Sequence, residues 1–390
     1  MGEPQQVQLH IMSRTGEEEN STEHINATGT GTGRPTSSQG SNYKRWLRMA
    51  IYTLFLISGQ TVALLLGRLY YDKGGKSKWL GTLVQLVAFP LLLPYYIIII
   101  MSSAPKNPIN GVHSKQPSTL IISSVYVSLG LLVAGDCLLY SIGLMYLPVS
   151  TYSLICSSQL PFNAFFSFFL NGQKFTPFIV NSLVLLTISS ILLVVQTEHS
   201  VFAVSKGKFV IGFTCTIAAS AGYGLVLSLT QLAFRRVLKR ETFTVVMDLI
   251  VYQSLVATSA TVVGLFASGE WRGLSTEMEE FELGKVSYLM TLIWTAIMWQ
   301  VFTIGCVGLI FEASSLFSNA ISVLGLPVIP VLAVIIFHDK LGAIKVISMV
   351  LAIWGFLSYL YQQYLDDFMK PKAEDRNGNE DSNASPPAPP

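Results

Sequence analysis

From Leu47 to Tyr364 the chain alternates long apolar runs with short polar breaks. A bilayer core needs about 20 apolar residues per helix. Runs of that length lie at 47–70, 79–101, 119–145, 149–171, 177–197, 209–234, 243–268, 285–309, 313–337 and 342–364. The pattern therefore predicts an all-α polytopic membrane protein with ten transmembrane helices. Very short corners join spans three to four and eight to nine. Residues 1–45 are rich in Ser, Thr, Gly and Glu and hold no apolar run, so no secretory signal is expected there. Residues 366–390 are charged and end in prolines. Both tails read as disordered, because neither buries enough apolar surface to offset ordering entropy.

A repeat divides what lies between the tails. LPFNAFFSFFLNGQKF at 160–175 aligns with LPVIPVLAVIIFHDKL at 326–341, and YSIGLMYLPVSTYSL at 140–154 with FTIGCVGLIFEASSL at 302–316. Leu160, Pro161 and Lys174 match Leu326, Pro327 and Lys340; Gly143 and Ser153 match Gly305 and Ser315. Two halves follow, 46–200 and 201–365, of five spans each. With an odd number of spans the second copy enters the membrane upside down, which puts a binding site at the midplane between the halves.

Charge then sets orientation and limits function. The chain is 51% hydrophobic but only 12% charged, with mean hydropathy +0.51 and net charge +2. Soluble domains carry about twice that share of charge. No basic stripe suited to a nucleic acid is present. The clusters Lys44–Arg48 and Arg235–Arg240 favour cytosolic termini, while Lys73, Lys76 and Lys78 argue the other way. The acidic loop Glu270–Glu282 would then be outside. Cys137, Cys156, Cys215 and Cys306 fall in apolar runs without zinc-ligand spacing. No P-loop and no catalytic constellation occur, so neither an enzyme, a resident cofactor nor a metal is expected.

The candidate chemistry is a short set of polar residues inside the spans. A carboxylate at mid-helix costs about 2.5–3.5 kcal/mol on insertion scales, so it must face a wet cavity, carry a proton or pair. Asp136 in span three is the main proton-coupling candidate, and Glu312 at the corner of spans eight and nine is a second. Each also fits a plainer role, as a tie to a neighbouring helix or as an interfacial group. Tyr152, Cys156, Gln159 and Asn163 are spaced to share one face of span four. Pro161 among them loosens the backbone ladder. Trp299 and Gln300 stand in span eight, Ser318 and Asn319 in span nine, Gln60 in span one and Tyr223 in span six. Singly, these residues fit interhelical ties. Together they suit a planar heterocycle, since amides match a nucleobase edge and aromatic rings match its face. No Lys or Arg lies at mid-span, which disfavours phosphorylated cargo.

The segments LPVSTYSLICSSQLPFNAFFSFFLNGQKFTPFIVNSLVLLTISS, GRLYYDKGGKSKWLGTLVQLVAFP at 67–90 and IWTAIMWQVFTIGCVGLIFEASSLFSNAISVLGLPVIPVLAVIIFHDKLGAIKVISMVLAIWGFLSYLYQQY at 293–364 resemble the plant purine permease family, within the drug/metabolite transporter superfamily. The resemblance runs from Arg48 to Asp367 and omits both tails. It implies two inverted five-helix repeats and proton-coupled import of adenine or cytokinins by alternating access, most suitably in the plasma membrane. It places ring and edge contacts on Gln159, Asn163, Trp299 and Gln300 and the proton on Asp136; the residues of the spans themselves add Tyr140 and Asn319 as substrate contacts and Glu312 as the alternative proton site. The expected partners are a purine-like small molecule, protons and the lipid bilayer. An importer of another neutral heterocycle, such as an alkaloid or pyridoxine, and a membrane sensor that binds without transport stay open as alternatives.

Overall fold

The computed structural model of the chain describes residues 37–102, 118–172, 176–200, 206–238, 243–337 and most of 342–361. The expectation for the two tails falls largely outside these residues. Among them the fold is all helical, without a strand. The helices are α1 (Ser37–Asp72), α2 (Lys78–Leu86), α3 (Leu93–Ser102), α4 (Thr119–Tyr146), α5 (Val149–Cys156), α6 (Gln159–Asn171) and α7 (Pro177–Ser200), then α8 (Lys206–Leu232), α9 (Phe243–Ser268), α10 (Leu274–Glu280), α11 (Lys285–Glu312), α12 (Ser315–Gly325) and α13 (Val328–Phe337). A 3-10 turn, Phe89–Leu92, links α2 to α3, and a π-helical turn, Ala233–Leu238, ends α8.

Eight stretches are long and apolar enough to cross a membrane: Lys44–Asp72, Lys78–Tyr95, Thr119–Tyr146, Val149–Asn171, Gly207–Leu238, Thr244–Ser268, Lys285–Glu312 and Ser315–Ile336. Two shorter apolar helices, Pro177–Ser189 and Val346–Gly355, fall where the sequence pattern has its fifth and tenth spans. In hydrocarbon every backbone N–H and C=O must be satisfied inside the chain, which is why the apolar runs become helices.

Three spans are broken, and proline explains where. A proline removes the hydrogen bond to the carbonyl four residues back and clashes with it. Pro161 therefore disrupts the ladder at Ser157, where α5 gives way to α6; Pro330 does the same at Leu326, between α12 and α13; Pro90 does so at Leu86, where α2 ends. The break in span two is a departure from the uninterrupted helix that its apolar run suggests.

The main core joins α1, α4, α5, α6, α8, α11, α12 and α13 around Leu56, Leu147, Leu160, Leu309, Leu316, Leu326 and Ile329, all fully enclosed. Buried hydroxyls are satisfied locally: Thr216 and Ser220 on α8, and Thr295 on α11, each donate to a carbonyl four residues back at 2.6–2.8 Å. Glycines let helix backbones touch. A Cβ on Gly305 would stand 2.6 Å from the backbone of α1 at Tyr52 and Leu56, and one on Gly59 2.6 Å from Phe302 N on α11.

The two tight corners lie at opposite ends of α1. Near its end, Arg68 donates to the carbonyls of Leu144 and Leu147 at 3.2 and 2.9 Å, fixing the α4–α5 corner. Near its start, Arg48 donates to both carboxylate oxygens of Glu312 at 2.6 and 3.3 Å, fixing the α11–α12 corner. Arg48 and Arg68 are twenty positions apart, a rise of about 30 Å along a helix, the thickness of a hydrocarbon core.

Candidate substrate site

A hollow of about 120 Å³ lies among α1, α2, α4, α5, α6, α8, α9, α11 and α12. That is the same order as a cavity of about 150 Å³ known to hold a benzene ring. Its walls combine aromatic rings and amides. Tyr140 from α4 packs edge-on to Tyr152 and Tyr223, with centroids 6.1 and 6.4 Å apart, and Trp299 packs edge-on to Phe302 at 5.3 Å. Gln60, Gln85, Gln159, Gln253 and Gln300 also line it, from five different helices. Among the lining residues Asp136 is the one acidic side chain, and Lys and Arg are absent.

A hydrogen-bond relay fixes one wall. Tyr140 Oη donates to Gln159 Oε1 at 3.5 Å, Gln159 Nε2 donates to Ser322 Oγ at 3.1 Å, and Ser322 Oγ donates to Gln60 Oε1 at 3.0 Å. The relay ties α4, α6, α12 and α1 together, so the orientation of the Gln159 amide is set before any ligand arrives. On another wall Tyr223 Oη and Cys306 Sγ are 3.4 Å apart. Among the residues lining the hollow, two enclosed side-chain polar atoms have no protein partner: Gln300 Nε2, a donor, and Asp136 Oδ1, an acceptor. Asp136 is 7% exposed and rests against Gly222, where a Cβ would come within 2.5 Å of its Oδ1. The glycine makes room for the carboxyl on α8.

Of the residues singled out from sequence, the hollow collects Gln159, Trp299, Gln300, Tyr140 and Asp136, together with Gln60, Tyr152, Cys156 and Tyr223. Asn163, Asn319 and Glu312 lie elsewhere. Asn163, fully enclosed, donates from Nδ2 to the Ser315 carbonyl at 3.1 Å and accepts from Ser228 Oγ at 2.8 Å, so it ties α6 to α12 and α8. The kink after Cys156 turns it off the face it would share with Tyr152 on an unbroken helix. Asn319 donates to the Gln159 carbonyl at 3.1 Å, so it supports the relay from behind. Glu312 is held at the α11–α12 corner by Arg48, with Arg45 donating to its backbone carbonyl at 2.7 Å. Gln85 and Gln253 are lining residues that sequence reasoning missed. The signal was the same one that picked out Gln60, an amide inside an apolar run.

Membrane-length helices around a hollow walled by rings and amides make the build of a small-molecule membrane carrier. Residues 47–369 match the family described as purine nucleobase transmembrane transport. The chain is 62% identical to probable purine permease 10 of Arabidopsis thaliana over 361 residues, covering 92% of each. It is 59% identical to purine permease 21 of the same plant, again over 361 residues and 92% of each, and 58% identical to probable purine permease 8, over 84% of this chain and 83% of that one. The chain belongs to the plant purine permease family, whose members are transporters and not enzymes.

Proposed function

We propose that the chain is a proton-coupled importer of purine bases and their derivatives, adenine and cytokinins among them, working by alternating access. The observation that carries this reading is the hollow itself: rings and amides from both halves converge on one space with a single acidic group in its lining. Stacking of a base on an aromatic side chain is worth about 1–3 kcal/mol, and it is tolerant of ring identity. Trp299, Tyr140 and Tyr223 supply the faces. Gln159 and Gln300 supply the edge, with Gln300 Nε2 the donor left for a ring nitrogen. Asn163 and Asn319 hold the helices that present these groups.

Asp136 takes the coupling role. No cation lines the hollow to compensate its charge, and an uncompensated carboxylate at this depth is costly. Its protonation therefore weights one conformation over the other, which is the condition for coupling. Glu312 is the weaker candidate, because Arg48 already compensates it.

Ten spans arranged as inverted repeats, 46–200 and 201–365, fit the same reading. The corresponding corners α4–α5 and α11–α12 sit at opposite ends of α1, as inversion requires. The broken helices that follow them touch through Gln159 and Ser322, and through Asn319 and the Gln159 carbonyl. Cytosolic termini in the plasma membrane complete the proposal. The lysines that argue against that orientation are each matched by a carboxylate: Lys73 by Glu282, Lys76 by Glu280 and Lys78 by Glu270. Uptake of labelled adenine and trans-zeatin, with and without a proton uncoupler, tests the function. Uptake indifferent to the uncoupler removes the coupling, and the absence of uptake removes the transport.

A further inference from the structure

Among the described residues, Glu277 is the most buried of the carboxylates outside the spans. It lies on α10, the short helix between α9 and α11, and is 5% exposed. Four donors saturate it. Oε1 accepts from Tyr70 Oη at 2.5 Å and Tyr288 Oη at 3.1 Å; Oε2 accepts from the backbone N–H groups of Lys76 and Ser77 at 3.0 and 3.1 Å. Tyr70 ends α1, Lys76 and Ser77 form the loop into α2, and Tyr288 opens α11. One carboxylate thus binds three segments that carry walls of the hollow.

The surroundings seal this end. Tyr70, Phe281 and Tyr288 pack into a buried cluster, with Tyr71 edge-on to Tyr70 at 4.9 Å. Glu282 N donates to the Lys73 carbonyl at 3.1 Å. Outside, Lys73 pairs with Glu282 and Lys76 with Glu280, each at 2.8 Å; both ammonium groups are pushed to higher pKa by the hydrogen bond each donates to its carboxylate partner. Directly beneath is a void of about 20 Å³ lined by Tyr70, Tyr71, Leu292 and Thr295. It shares Tyr140, Tyr152 and Trp299 with the main hollow. The void's lining thus runs from the rings of the hollow to Tyr70, which Glu277 holds.

We propose that Glu277 is the latch of this face: the cage must open for the hollow to reach the aqueous side on which α10 lies. The proposal rests on the alternating-access reading above. The carboxylate accepts from all four partners, and two of them, the Lys76 and Ser77 N–H groups, can only donate. In Glu277→Gln the amide oxygen can keep those two N–H groups while its NH₂ meets the tyrosine hydroxyls, so charge-assisted hydrogen bonds are replaced by neutral ones about half as strong, which loosens the latch while leaving the hollow's own residues in place.

The test places a reporter in the small void. Thr295→Cys, in the full chain in detergent, is treated with a charged methanethiosulfonate, which forms a mixed disulfide with the thiolate and releases methanesulfinate; modification at that position is followed by non-reducing peptide mass spectrometry. Adding Glu277→Gln should raise the rate at least tenfold, with Cys215 on α8 labelled as before. Glu279→Gln, which breaks only the exposed pair with Lys285, should leave the rate within twofold. Tyr288→Phe removes a single donor and should give a smaller rise, about threefold; it serves in place of Glu277→Gln if that variant does not fold. An unchanged rate in the tested variant overturns the latch, as does an equal rise at Cys215, which marks general loosening. Adenine binding is measured on the same preparations. Its absence in the unmodified chain counts against the purine reading and leaves the latch result to stand separately.

Discussion

Asn163→Ala separates a residue that holds the site from one that contacts the cargo. The substitution removes three hydrogen bonds. One, from Ser167 Oγ, lies within α6, and that hydroxyl keeps Ser228 and Ser315 within 3.1 Å. The other two cross to α8 and α12. Interhelical hydrogen bonds in bilayers average about 0.6 kcal/mol and reach about 1.7, so the pair is worth about 1–3 kcal/mol. The Ser228 hydroxyl retains Ser167 as a partner, and the Ser315 carbonyl is left without the side-chain donor. Thermal unfolding in detergent should therefore fall by a few °C, in line with about 2–4 °C per kcal/mol for larger domains. Adenine affinity of the folded fraction should stay within about threefold, because the Asn163 side chain lies outside the hollow. Gln300→Ala should do the reverse. Its Nε2 has no protein partner to lose, so Tm should hold, while affinity drops by roughly 2- to 10-fold for one hydrogen bond. An Asn163→Ala protein with unchanged Tm and tenfold weaker binding would show that Asn163 touches the substrate, and the geometry argued here would be wrong.

Asp136→Asn keeps the fit against Gly222 and removes the titrating group. Accumulation against a gradient should vanish while adenine exchange across the membrane persists; at 100 mV one coupled charge is worth about 2.3 kcal/mol, or roughly 40-fold accumulation. Continued gradient-driven accumulation would remove the coupling role. Trp299→Ala should weaken adenine and trans-zeatin by roughly 10- to 100-fold each, since stacking does not discriminate between them. A loss confined to one ligand would make Trp299 a selectivity residue instead of a general platform.

The sequence pattern placed the eight membrane-length helices well because a bilayer leaves the backbone so few options. The tight corners at Leu147–Pro148 and near Ala313 were legible from apolar run lengths alone. Nine members of the hollow were legible as well, because polar and aromatic groups that cluster in hydrocarbon need a reason to be there. What was not legible is which polar group faces inward and which faces a neighbouring helix. Asn163 and Gln159 lie four residues apart and look alike on a helical wheel. The break at Ser157 and the closeness of Gly224, where a Cβ would meet Asn163 N at 2.7 Å, send Asn163 into the seam with α8. That contact is long-range, so no local periodicity encodes it. Glu312 was ambiguous for a similar reason. Its partner Arg48 is 264 residues away. Glu277 shows the limit more sharply, since it sits in an acidic loop that reads as solvated until Tyr70 and Tyr288 are seen around it.

The tie at each end of α1 suggests where the molecule pivots, and Gly305→Ala tests it. α1 is held to the following half by Glu312 near its start and by Glu277 at its end. Between them its backbone touches α11 at the Gly59–Gly305 crossing. A Cβ at Gly305 would fall 0.8 Å short of the 3.4 Å at which ordinary contact begins, and against backbone that cannot rotate away. The helices must part, at about 1–3 kcal/mol for overpacking of this kind. If α1 and α11 rock about this point, releasing one tie while the other holds, wedging it costs both end states unequally and slows their exchange. Gln300 and Trp299 lie more than a turn away, so binding should change little. Uptake per folded carrier should fall about tenfold, with adenine affinity within threefold. A folded Gly305→Ala carrier that moves adenine at the native rate would place the pivot elsewhere.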